Sequence, residues 1–218
     1  MSKIAVMKRI WRSERGFSKL SAFVTRASER FAGRYRALLY GWQGGFIGRA
    51  PRIIGTTFIA AQPGCSVGRF AWIEVVPSET NRTPILEIGA KFSASERLHV
   101  ACVNHIRIGQ DCLIGSGVHI TDHNHGKYTG QDQSDPMEAP IKRHINCDGA
   151  VEIGSNVWIG DNVVIIGPVV IGAGAIIGAN SVVTKNVPIN TIVVGAPAVP
   201  VKYYDERTME WKKCKKID

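Results

Sequence analysis

Three imidazoles fall within seven residues, His119, His123 and His125, in the stretch HITDHNHG at 119–126. An imidazole titrating near its ordinary value of roughly 6.5 can take a proton from a hydroxyl at neutral pH, so this stretch suits general-base work on a poor oxygen nucleophile. One histidine in a polar loop more often caps a backbone group; three together favour chemistry. On extended backbone, residues 119, 123 and 125 share one side of the strand, which leaves His123 and His125 as rivals for the role. Asp122 can orient an imidazole through its ring N–H or meet sugar hydroxyls, and the same alternation, which turns successive side chains apart, favours substrate contact or a turn over a pairing with His123. Zinc is the other chemistry that histidines offer. It needs three converging imidazoles and an open fourth position, for which His105, His119, His123, His125 and His144 are the candidates.

The cluster stands where a repeat breaks. From Val151 to Thr184 the residues Ile153, Ile159, Ile165, Ile171, Ile177 and Val183 recur every six positions, with Val151, Val157, Val163, Val169, Ala175 and Ser181 two before each. Neither a helical period of 3.6 nor simple alternation selects that set, so the sixes are structural in their own right and predict a solenoid. Three sixes per coil close a triangular prism whose sides stack eighteen residues apart. Gly154, Gly160, Gly172 and Gly178 are read as corner residues in a conformation that a side chain disfavours. Upstream the pattern enters irregularly from Ile54, runs through Val67 and Ile73, is interrupted by a loop from Pro77 to Pro84, and resumes through Ala94 and Val100. After a slip of two residues it continues through Ile108, Ile114 and Ile120. Residues 121–150 lack periodicity and form a long loop ejected from the wall, of a length that usually signals function or disorder.

Residues 1–52 hold twelve Lys and Arg against Glu14 and Glu29, a formal +10, while the whole chain carries +9. The rest therefore sums to about −1, and the repeat region shows no basic stripe interleaved with aromatics, which argues against a nucleic-acid partner. Over residues 1–40, apolar side chains such as Ile10, Trp11, Phe23, Phe31 and Leu38 recur at helical spacing opposite Lys8, Arg12, Lys19, Arg26, Arg30 and Arg34. That segment fits a helix packed on the solenoid or a partner subunit, or one lying on an anionic membrane surface. The five cysteines form no CxxC pair and read as free thiols of a reducing compartment, Cys65 and Cys112 in the inward register. With no evident signal peptide or membrane-spanning run, the expected location is the cytoplasm, with residues 1–40 available to the inner face of the membrane. The predicted organisation is a basic helical segment and connector over 1–48, the solenoid over 49–202, and a charged tail or short helix over 203–218.

The segments NVWIG at 156–160, IGANSVVTKNVP at 177–188 and VVGAPAVPVK at 193–202 resemble the hexapeptide-repeat acyltransferases. They look most like the sugar O-acetyltransferase branch with the galactoside and maltose acetyltransferases, over about residues 86–202. The resemblance implies a mainly β, left-handed parallel β-helix that assembles as a homotrimer. It further implies transfer of an acetyl group from acetyl-CoA to a carbohydrate hydroxyl, as in the synthesis of surface polysaccharide (O-antigen, capsule or exopolysaccharide). By the same resemblance His123 is the general base, with His125 its rival beside the substrate. Trp158 lines the reacting end of a groove between subunits, Gly160, Asp161 and Ala179 meet the pantetheine arm, and Thr184, Lys185 and Lys202 reach the nucleotide phosphates. Two departures put the acceptor in doubt: Val199 stands where some relatives carry Arg, and an acceptor-site Asn has no equivalent among Ser95, Glu96 and Arg97. γ-Type carbonic anhydrases share the fold, but their local zinc ligands are spaced His-x4-His, whereas the gaps here are four and two; no metal is expected. A non-catalytic scaffold subunit is the remaining alternative.

Overall fold

The computed structural model describes residues 24–78 and 81–214. The chain winds as a left-handed parallel β-helix with three walls. The first stacks Phe46–Ile47, Ser66–Val67, Ser93–Ala94, Leu113–Ile114, Trp158–Ile159, Ile176–Ile177 and Thr191–Val194. The second stacks Arg52–Ile54, Trp72–Val75, His99–Cys102, His119–Thr121, Val164–Ile166 and Val182–Val183; the third stacks Ile59–Ala61, Ile85–Ile88, His105–Ile108, Val151–Ile153 and Val169–Ile171. Where the sixes are perfect, rungs lie eighteen residues apart in sequence, as in the pairs Trp158 with Ile176 and Val151 with Val169.

Both rows of the repeat point inward. Ile153, Ile159, Ile165, Ile171, Ile177 and Val183 are buried, as are Val151, Val157, Val163, Val169, Ala175 and Ser181. Burial of each aliphatic side chain contributes roughly 1.5–3 kcal/mol. The one hydroxyl in these rows is satisfied, since Ser181 Oγ accepts from the Gly195 N–H at 3.1 Å. Cys65, Cys102 and Cys112 are buried free thiols, and burial raises the pKa of each.

The repeat glycines serve a purpose other than the one predicted. Gly154, Gly160, Gly172 and Gly178 are not among the residues of positive φ; the left-handed corners are Asn156, Asn162, Gly174 and Asn180. A Cβ at Gly160 would lie 2.6 Å from the Ala179 nitrogen, and one at Gly154 would lie 2.5 Å from the Ala173 nitrogen. These glycines let one coil approach the next, and asparagine, which tolerates the left-handed region, turns the corner.

Residues 1–23 of the basic amphipathic segment lie outside the described residues. The remainder is helical through 24–39 and covers the N-terminal end of the column through its small residues. Gly33 meets the Phe46 ring, Ala37 is buried, and Arg36 Nε donates to the Ile47 carbonyl at 2.8 Å. Its larger apolar side chains point the other way: Phe31 is 76% and Leu38 69% exposed. The column begins at Phe46, inside the segment assigned to the connector. At the other end, the tail or short helix predicted over 203–218 is replaced, as far as residue 214, by an antiparallel hairpin. Val199–Asp205 pairs with Thr191–Val194 and with Glu210–Lys213. A register shift between Ile192 and Val193 accommodates Pro200 in an added strand.

Candidate active site

The strand His119–Thr121 ends the last rung before the ejected loop, and the chain bends at Asp122. Because the extended backbone stops there, alternation no longer governs where side chains point. The carboxylate of Asp122 folds in beneath the next residue: Oδ1 lies 3.1 Å from His123 Nδ1. Oδ1 also accepts from the Val103 N–H at 3.0 Å, and Oδ2 accepts from the Asn104 N–H at 2.9 Å. The Asp122 side chain is 0% exposed. Expected to meet substrate hydroxyls, it is instead sealed from them and pairs with the histidine ring.

Burial works against the charged form of Asp122, but the bonds from His123, Val103 and Asn104 more than offset it and hold the carboxyl below its ordinary value. An ionised carboxylate only accepts, so Nδ1 of His123 carries the hydrogen and Nε2 presents a lone pair. Thr121 Oγ1, 3.2 Å from Nδ1, holds the ring from a second side. His123 lines a cavity of about 550 Å³ together with Val76, Pro77, Arg82 and Val103 on one side and Ile145 of the ejected loop on the other. His125 does not line it. That residue sits on an exposed hairpin strand, Asn124–His125 against Ile145–Asn146, with its ring centroid 6.5 Å from that of His123.

The proposed donor residues gather on the first wall. Trp158, Gly160, Asp161 and Ala179 line one open groove of about 460 Å³, together with Leu113 and Ile176. Asp161 also ties two coils, since its Oδ1 accepts from the Ser116 N–H at 2.6 Å. Lys202 lies outside the groove but in line with it: it pairs with Ile192, which pairs with Ile176, which pairs with Trp158. Thr184 and Lys185 are exposed at the corner after the Val182–Val183 rung and do not line the groove. His123 is absent from the groove as well, so the candidate base and the candidate donor site occupy different faces of one protomer.

Residues 150–185 match the family described as bacterial transferase hexapeptide (six repeats), and residues 105–121 match the hexapeptide repeat of succinyl-transferase. Over these two stretches the chain is similar to hexapeptide-repeat transferases. A protein of Escherichia coli (strain K12) provisionally named a lipopolysaccharide biosynthesis O-acetyl transferase, WbbJ, is 42% identical over 121 residues, which is 55% of this chain. The match spans 61% of that relative's length. The structure of a galactoside acetyltransferase in complex with coenzyme A superposes with a TM-score of 0.51 at 29% identity, covering 68% of this chain and 67% of that one. AntD, an N-acyltransferase from Bacillus cereus in complex with dTDP and 3-hydroxybutyryl-CoA, shares the fold with a TM-score of 0.62 at 16% identity, over 80% of this chain and 90% of that one.

The solenoid carries one polar feature that its sequence concealed. Along the second wall Arg52, Trp72, His99 and His119 stand in register on successive rungs. The Arg52 guanidinium lies 4.6 Å over the Trp72 ring, Trp72 stacks on His99 at 4.2 Å, and the Nδ1 atoms of His99 and His119 are 2.9 Å apart. Burial lowers the pKa of both imidazoles, and at 2.9 Å one Nδ1 donates to the other, which requires at least one neutral ring. Their partnership is invisible to a period of six because the intervening coils are swollen by loops. The histidines considered for zinc are dispersed: His105 is on the third wall against Glu87 at 2.9 Å, and His119 is on the second. Among the described residues no three His, Cys, Asp or Glu side chains group as a metal site.

Proposed function

We propose that the chain transfers an acetyl group from acetyl-CoA to a carbohydrate hydroxyl in surface polysaccharide biosynthesis, with His123 as the general base. The observation that carries this reading is the buried Asp122, whose bond to Nδ1 leaves Nε2 as the proton acceptor of a histidine that lines a cavity of about 550 Å³. Nε2 takes the proton of the acceptor hydroxyl as its oxygen attacks the thioester carbonyl. Collapse of the tetrahedral intermediate forms the ester, and the departing coenzyme A thiolate takes the proton back from the imidazolium. The groove around Trp158 and Ala179 suits the thioester and pantetheine, and Lys202, further along the same row, suits a phosphate. The likeness to the O-acetyl transferase of Escherichia coli and to a galactoside acetyltransferase that holds coenzyme A supports the reaction class. A thiol-release assay with acetyl-CoA over a panel of sugars and sugar derivatives tests it. Acceptor-dependent release is expected; absence of coenzyme A binding would leave only a scaffold role.

The separation of His123 from the groove supports a homotrimer in which one protomer's base serves its neighbour's groove. Contact with the cytoplasmic face of a membrane is supported by the exposed Phe31, Tyr35, Leu38 and Leu39, which share the 24–39 helix with Arg26, Arg30 and Arg34. No helix among the described residues is long and apolar enough to cross a membrane, so such contact would be peripheral. Removal of residues 1–40 should abolish co-sedimentation with anionic vesicles, and unchanged co-sedimentation would eliminate this part of the reading.

A further inference from the structure

The cavity in front of His123 has a charge that the rest of the solenoid lacks. Arg82, from the 77–84 loop, and Lys142 and Arg143, from the ejected loop, all line it. Among its described lining residues none is acidic, although residues 53–218 as a whole sum to about −1. Among the described residues no carboxylate forms an ion pair with any of the three.

Arg143 is fixed in place without losing its charge. Its Nη2 donates to the carbonyls of Pro136 and Glu138 at 2.9 and 2.8 Å, its Nε donates to Glu138, and its Nη1 meets the Tyr128 hydroxyl at 2.9 Å. These are neutral acceptors, so the guanidinium staples the loop and leaves a positive field over the cavity. Lys142 ends the short 3-10 turn Pro140–Lys142 beside it, and Arg82 approaches from the opposite loop. Two loops that leave different coils thus bring three cations to one cavity, where an anion would be attracted to all of them.

We infer that the acceptor taken into this cavity is a phosphate-bearing saccharide, with Arg82 and Lys142 clasping its phosphate or diphosphate while a sugar hydroxyl meets His123. This deepens the acetyl-transfer reading and rests on it for the role of the cavity. A free neutral sugar leaves the cations without a partner; a sugar esterified to phosphate satisfies them and is positioned by them. The chemistry fits a sugar linked through diphosphate to a nucleoside as well as one linked to a polyprenyl chain.

Inorganic pyrophosphate is the direct probe, because its binding needs no turnover. Calorimetry at low salt should detect binding to the full chain, weakened at least about tenfold in the Arg82→Gln/Lys142→Gln double variant and largely restored by Arg82→Lys with Lys142→Arg. Saturating coenzyme A should leave this binding in place. Displacement by coenzyme A would overturn the proposal by assigning the cations to the donor, and so would absence of pyrophosphate binding. In turnover, a hexosyl phosphate should exceed the corresponding neutral hexoside at least about tenfold in kcat/KM, and the double variant should bring that ratio close to one. An equal loss on both acceptors would overturn it too. Nucleoside-diphosphate and short polyprenyl-diphosphate esters of one sugar, compared side by side, tell the two sources of phosphate apart. Failure to bind coenzyme A would sink the acetyl-transfer reading while leaving the pyrophosphate result to stand or fall by itself.

Discussion

Alanine at His123 should lower acetyl transfer by about two to four orders of magnitude, with binding of acetyl-CoA preserved. The loss follows from the geometry of one ring. A sugar hydroxyl is almost fully protonated at neutral pH, and its oxygen becomes an effective nucleophile only as the proton leaves. In this chain Nε2 of His123 is the nitrogen left to receive it, because Nδ1 is committed to Asp122 and touched by Thr121. Removing the imidazole takes away the acceptor and nothing from the groove on the first wall, which His123 does not line. Alanine at His125 should by contrast change turnover little, since that side chain lies outside the cavity on an exposed strand. Steady-state rates for both variants, each with a coenzyme A binding isotherm, decide the matter. Parent-like turnover without His123, or collapse without His125, would reverse the assignment.

The sequence carried the column plainly because stacking forces every coil to place the same residues at the same inward positions. Ile153 to Val183 could be assigned to the core with no partner in view. Other features followed from forces that a repeat does not encode. The carboxylate of Asp122 could not be placed by alternation, since the strand stops at Thr121 and two main-chain N–H groups from the previous coil draw the side chain inward. The glycines at 154 and 160 were legible as obligatory but for the wrong reason; close approach of the next coil, not a positive φ, excludes a Cβ there. The Trp72, His99, His119 ladder depends on coils lengthened by loops, so its members share no simple spacing. The hairpin at Val199–Lys213 was hidden by prolines that argue against strand unless a register shift absorbs them. The N-terminal helix docks by Gly33 and Ala37 and not by its large apolar side chains, a choice set by the tight approach to Phe46.

Asparagine at Asp122 should lower kcat on the order of a hundredfold, leave the KM for acetyl-CoA near its parent value, and destabilise the fold at neutral pH. The carboxylate serves three donors at once: the ring at Nδ1 and the N–H groups of Val103 and Asn104. An amide of the same shape offers one oxygen in place of two. If that oxygen takes the Oδ2 place it keeps only the Asn104 N–H, the NH2 faces Nδ1 and the Val103 N–H, the ring becomes an acceptor at Nδ1, and the hydrogen moves to Nε2, the tautomer unable to take a proton from substrate. If the oxygen takes the Oδ1 place it keeps the ring and the Val103 N–H, and the NH2 is left against the Asn104 N–H, which costs about 1–3 kcal/mol. In the first case the useful tautomer is lost and in the second the imidazolium that forms has no counter-charge, so Asp122 acts as a positioning residue through His123 and kcat falls while donor affinity does not. The pH dependence supplies a second readout. Because the folded carboxyl titrates below its ordinary value, the unfolded chain binds the proton first as pH falls, and the stability that Asp122 contributes is present above the ordinary value of 3.8 and lost as pH drops through the folded value. Urea unfolding of parent and Asp122→Asn should therefore differ most at neutral pH and converge on the acid side of 3.8. A stability gap independent of pH, or a kcat that survives the exchange, would mean that the carboxylate neither carries its charge into the fold nor holds the ring.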